Sequence, residues 1–128
     1  MRKEITARKK ANRISEAALN KKADGIIILD MRAVSNITDY FVICGAPSTR
    51  RVRAVAEGIE EDLAGDGIKH WHIEGKEEAL WVLLDYGDVI AHVFQEELRG
   101  FYNLERLWQD APKERISASC ASPKSKQA

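Results

Sequence analysis

The run from Leu80 to Phe94, LWVLLDYGDVIAHVF, constrains the fold more than any other part of the chain, because it reads as a β-hairpin that is apolar on both faces. Successive strand residues point to opposite sides, so Trp81 and Leu83 share one face while Leu80, Val82 and Leu84 share the other. Asp85-Tyr86-Gly87 suits a type I turn completed by a glycine in the left-handed region, and Asp88 opens the return strand. Neither face is built for water. A chain of 128 residues is one domain with only a few helices to cover such a sheet. Either a helix lies on each side, or one face is left for a partner.

The remaining elements follow from pattern. Ile14 to Lys21 has helical composition and can extend back toward Ile5; Asp24-Gly25 breaks it. Ile26 to Leu29 reads as a short buried strand, and Ser35 to Asp39 as a polar connection into a second strand, Tyr40 to Cys44, ended by Gly45-Ala46-Pro47. Ser48 caps a helix whose Val52, Val55, Ala56, Ile59 and Leu63 recur at helical spacing, with Gly65 at the left-handed C-terminal position. A third strand is expected at about Lys69 to Glu74, turned by Gly75 to Glu78 into the hairpin. A last helix is expected from about Glu97 to Gln109. Ala111 onward has the composition of a disordered tail. The order predicts an α/β fold: a mixed five-stranded sheet with flanking helices in one domain, residues 14–110, between a basic N-terminal extension (1–13) and a disordered basic tail (111–128).

Charge is partitioned along the chain. Twenty basic and twenty acidic residues cancel overall, yet Met1 to Lys22 holds eight Lys or Arg against two Glu, while Ala23 to Asp110 holds eight against seventeen acids. An acidic body repels a phosphate backbone and favours a basic protein as partner, whereas the basic ends suit a peripheral contact with RNA. No apolar run approaches the roughly 18 residues of a bilayer helix, and the N-terminus lacks the apolar core of a secretory signal. Glu4 and Glu16 argue against a transit peptide. Cys44 falls in a strand pattern and Cys120 in the tail, which makes no disulfide framework and suits a reducing cytoplasm.

The residues able to carry chemistry are few. Asp85 and Asp88 flank the hairpin turn, with Asp39 and His92 as neighbours they could gain by folding; carboxylates grouped at a sheet edge hold magnesium in phosphoryl or nucleotidyl transfer. Turn aspartates are common for local hydrogen-bonding reasons, which is the plainer reading. His70 and His72 offer two imidazoles with no further ligand at metal spacing. Gly45-Ala46-Pro47-Ser48-Thr49 lacks the spacing and lysine of a phosphate loop. Arg50, Arg51 and Arg53 nevertheless place cations at the positive end of a helix dipole, where neighbouring carboxylates or a phosphate would compensate them. Trp81 and Leu83, with Tyr86 at the turn tip, are residue types that anchor protein interfaces unless a terminal helix covers them.

Taken together, several segments resemble one family. Asp30, Ser35-Asn36-Ile37-Thr38-Asp39-Tyr40-Phe41-Val42-Ile43, Gly45, Ser48, Glu74-Gly75, the hairpin from Trp81 to Ile90, His92-Val93-Phe94, and Arg99, Tyr102, Leu104-Glu105 and Leu107-Trp108 are similar to the ribosomal silencing factors, also called Iojap-related proteins. The resemblance covers residues 14 to 110. It implies a nucleotidyltransferase-like fold without catalysis or cofactor. It also implies a protein that binds the large ribosomal subunit through ribosomal protein L-fourteen and blocks joining of the small subunit under nutrient limitation. On the matching positions, Trp81 and Leu83 are expected as apolar anchors, Asp85 and Asp88 as acceptors or charge complements, and Tyr86 as a tip contact. Asp39, Tyr40, Arg99 and Tyr102 match motif positions that serve either the partner or the fold, and His92 is expected as a satisfied structural histidine. A monomer or weak homodimer is expected, with no membrane and no metal. The competing expectations are a metal-dependent nucleotidyl- or phosphotransferase using Asp85 and Asp88, and an RNA adaptor driven by the basic ends.

Overall fold

The structure is a computed structural model that describes residues 5–98 and 111–116. Helix α1 runs from Ala7 to Asn20, started by Thr6, whose hydroxyl oxygen accepts a hydrogen bond from the Lys9 amide at 3.1 Å. That bond satisfies one of the amides a helix leaves unpaired at its start. Ala11, Ile14, Ala17 and Ala18 form its buried stripe. The expected boundary at residue 14 therefore moves: Ala7 to Arg13 are part of the domain's first helix, not an extension to it. Helix α1 ends before Asp24-Gly25, at Lys21, and Lys22 turns the chain with φ 68°.

Strand β1, Asp24–Asp30, pairs antiparallel with β2, Tyr40–Ala46, with an irregular register between Asp24 and Ile27. Gly25, at φ 56°, absorbs that irregularity. Helix α2, Thr49–Gly65, begins as the sequence indicates: Ser48 Oγ accepts from the Arg51 amide at 3.1 Å. Its end lies slightly later. Gly65 is the last helical residue, and the left-handed position belongs to Gly67 at φ 80°.

The third strand shortens to β3, His72–Glu74, followed by β4, Trp81–Asp85, and β5, Val89–Gln95. The hairpin turn has its glycine where expected, Gly87 at φ 91°. A sixth strand, β6, Lys113–Ile116, corrects both the expected count of five and the assignment of everything after Ala111 to a disordered tail. β6 pairs antiparallel with β1, from Ile26 opposite Ile116 to Leu29 opposite Lys113. Among the described residues it is an edge of the sheet, with one ladder made, which is why KERI reads as tail by composition yet serves as a strand.

The sheet order is β3-β4-β5-β2-β1-β6, with β2 and β5 parallel and every other pair antiparallel. Helices α1 and α2 pack on one face, where Ile14, Val52, Ile59 and Leu63 meet Ile28, Val42, Val82 and Leu84. The opposite face carries a second apolar cluster of Ile27, Leu29, Met31, Phe41, Ile43 and Phe94, with Trp81 and Ile90 packed at its margin. Central β2 is buried along its whole length, whereas β4 alternates half-buried and buried residues. Helix α1 thus shares the face of α2 and leaves Trp81 and Leu83 uncovered by either helix. The expected last helix, with Arg99 and Tyr102, falls outside the described residues apart from its first two positions.

Candidate functional site: the outer face of the hairpin

The odd-numbered residues of β4 and the even-numbered residues of β5 come to one face because the strands pair antiparallel, with Trp81 opposite Phe94, Leu83 opposite His92 and Asp85 opposite Ile90. Trp81, Leu83, Asp85 and Ile90 are all half-buried there. The Trp81 ring stacks on Phe94 with centroids 5.0 Å apart and planes 26° apart, while Phe41 meets His92 edge-on at 4.6 Å. An aromatic platform backed by rigid central strands results, with one side of Trp81 seated on it.

His92 holds that platform in register. The Trp81 indole N–H donates to His92 Nδ1 at 3.1 Å. Only a neutral imidazole carrying its proton on Nε2 can accept there. Burial pushes the His92 pKa down to about 4, so this neutral form is the one present near pH 7. Nε2 is buried and has no hydrogen-bond partner among the described residues. The expectation of a structural histidine is met at Nδ1.

The expected site residues separate. Trp81, Leu83 and Asp85 share the outer face, as alternation requires. Tyr86 lies in the turn, but its side chain does not project from the tip: it is 2% exposed, faces the helix-side core, and has its phenol pushed up to about 12 by burial. The even position that puts Leu84 under the helices carries Tyr86 to the same side. Asp88 pairs with Lys10 of α1, Nζ to Oδ1 2.7 Å, and Lys10 also donates to the Tyr86 carbonyl at 3.4 Å. Asp85 Oδ1 accepts from the Gly87 amide at 2.8 Å, so it pins the turn. Asp39 does approach Asp88, but through backbone, its amide donating to the Asp88 carbonyl at 2.9 Å. Tyr40 is buried under two guanidinium groups, those of Arg8 at 5.8 Å and Arg32 at 5.3 Å from its ring centre. Arg32 is itself held by Asp30, whose carboxyl it keeps below its ordinary range by hydrogen bonding.

Among the described residues no three His, Cys, Asp or Glu side chains come together as a metal-ligand set. His72 pairs with Glu74 at 2.7 Å, and His70 lies edge-on to Tyr86 at 6.3 Å. Of the arginines at the start of α2, Arg51 donates to the Lys21 carbonyl at 3.3 Å, and Arg53 to those of Lys76 and Glu77 at 3.2 and 2.6 Å. Cys44 is buried. No helix of the described residues is long and apolar enough to cross a membrane. Sequence reading missed Ile90 as a face residue and His92 as the acceptor for Trp81. The alternation that places Trp81 and Leu83 places both once the strand register is known.

Comparison with known proteins agrees with this architecture. The family model for ribosomal silencing factor during starvation matches residues 4–128. A ribosomal silencing factor of Bacillus subtilis is 46% identical over 101 residues, spanning 78% of this chain and 86% of that protein. The chloroplastic protein Iojap of Zea mays is 31% identical over 98 residues, 77% of this chain but 42% of that protein. The crystal structure of a protein from Chromobacterium violaceum superposes with a TM-score of 0.80 at 28% identity, covering 93% of this chain and 98% of that one. The chain therefore belongs to the ribosomal silencing factor family.

Proposed function

We propose that the protein is a non-enzymatic translational repressor that binds the large ribosomal subunit through ribosomal protein L-fourteen and sterically prevents the small subunit from joining under nutrient limitation. One observation carries this reading: Trp81 and Leu83 stand side by side, half-buried, on the face of the sheet away from α1 and α2. Aromatic and aliphatic side chains on a rigid strand are suited to anchoring a protein partner. Asp85 on the same face adds a carboxylate, and the acidic body complements a basic ribosomal protein. The site of action is the cytoplasm, and the mechanism is occupancy, with no bond made or broken.

Sedimentation of purified large and small subunits with the protein tests it. The wild type is expected to travel with the large subunit and to reduce subunit joining. Trp81→Glu, which puts a charge in place of an apolar anchor on this face, is expected to do neither while remaining folded. A folded Trp81→Glu protein with full affinity would remove the outer face from the site, and a wild type that binds neither subunit would remove the reading itself.

A further inference from the structure

On the helix side of the molecule, away from the proposed partner face, an open groove of about 940 Å³ runs between α1, the turn after α2 and the hairpin turn. Its walls carry four cations, Lys9, Lys10, Arg13 and Lys69, against two carboxylates, Asp66 and Asp88. Lys10 and Arg13 pair with those two acids at 2.7 and 2.6 Å. Lys9 and Lys69, both exposed, have no ion pair among the described residues. This positive groove lies on a body whose central sequence holds eight basic against seventeen acidic residues.

Trp71 lies at the groove, 78% exposed. It is nonetheless held in place. Its amide donates to the Asp85 carbonyl at 2.7 Å, and its ring lies so close to Gly87 that a Cβ there would stand 2.9 Å from ring carbon Cζ2. An indole fixed from behind and exposed in front, beside exposed lysines, is the combination with which proteins take up single-stranded nucleic acid. Bases stack on the ring, and phosphates lie along the cations. A run of acidic residues would match the charge but brings no aromatic ring to stack on the indole.

We infer that this groove is a binding site for a single-stranded RNA segment, with Trp71 as the stacking platform and Lys9 and Lys69 as phosphate contacts. The choice of RNA as the polyanion rests on the ribosome-directed reading above. The site differs from a contact made by basic tails, because Lys9 belongs to a helix packed on the core.

The test is fluorescence anisotropy of a labelled oligouridylate of about ten nucleotides with the full chain at low salt. The wild type is expected to bind, with affinity falling as salt rises. Trp71→Ala is expected to lose about tenfold in affinity, and Trp71→Phe to keep most of it. The double variant Lys9→Gln/Lys69→Gln is expected to bind more weakly and to flatten the slope of log affinity against log salt by about 1.4. Thermal unfolding of each variant verifies that it is folded. Absence of wild-type binding, binding indifferent to Trp71→Ala in a folded protein, or equal displacement of the oligonucleotide by a polyglutamate peptide would each overturn the inference. Sedimentation separates it from the partner reading. Large-subunit binding without oligonucleotide binding removes the groove alone, whereas oligonucleotide binding without large-subunit binding supports the groove and removes the subunit reading.

Discussion

The Trp81 indole donates its N–H to Nδ1 of His92, 3.1 Å away, and this cross-strand bond fixes the orientation of the Trp81 ring on the proposed partner face. The two residues lie on neighbouring strands, in a non-identical pairing: Trp81 stands opposite Phe94 and His92 opposite Leu83. Protonating His92 would put a second N–H where the indole N–H already points, so the bond exists only with the neutral ring. Charge state, ring orientation and partner surface are thereby coupled.

The first prediction is a pH dependence of stability. The folded pKa of His92 is lowered to about 4 from its ordinary 6.5. Between those values the unfolded chain binds more protons than the folded one, so stability falls as pH drops through 6.5 and levels off below about 4. Urea unfolding is expected to show about 2 kcal/mol less stability from this group at pH 5 than at pH 7.5. His92→Gln is expected to remove that part of the slope.

Trp81→Phe separates the ring from its donor. Phenylalanine can retain the stacking on Phe94 but leaves His92 Nδ1 buried without its hydrogen bond. A loss of about 1–2 kcal/mol in urea unfolding is expected. An unchanged midpoint would show that the bond contributes nothing.

Asp85→Asn tests two roles at one position. Asparagine keeps an oxygen for the Gly87 amide and removes the charge. Stability is expected to change by less than about 0.5 kcal/mol, while affinity for the large subunit drops if the carboxylate faces a basic partner. A fall in stability as large as that of Asp85→Ala would assign the charge to the turn.

At the turn itself, Gly87→Ala meets two obstacles, a φ of 91° and the nearby Trp71 ring. A destabilisation of about 1–2 kcal/mol is expected from the backbone alone. Displacement of Trp71 is expected to change its fluorescence.

Ending the chain at Ala111 rather than at Ile116 tests the sixth strand. The shorter chain loses the ladder from Lys113 to Ile116 along β1. About 2 kcal/mol of stability is expected to go with it, from a few backbone hydrogen bonds at their usual net worth. Faster amide exchange confined to β1 would identify the element affected.

Much of the fold was legible because it is local. Ser48 ahead of a helical stripe, Gly87 in a tight turn, and β-branched runs at Ile26 and Tyr40 each encode their conformation within a few residues. The alternation of β4 likewise determined, from sequence alone, that Trp81 and Leu83 part company with Val82 and Leu84. Which of the two faces the helices would cover was not local information. Only the tertiary structure decided that α1 lies beside α2, leaving Trp81 and Leu83 on the other side. The same holds for β6, whose charged sequence gains its conformation from the open ladder of β1 and not from its own propensity. Tyr86 and His92 show the limit most plainly. A tyrosine beside a turn and a histidine in an apolar strand have no fixed fate in sequence, because their burial and protonation depend on neighbours supplied by strand pairing and helix packing.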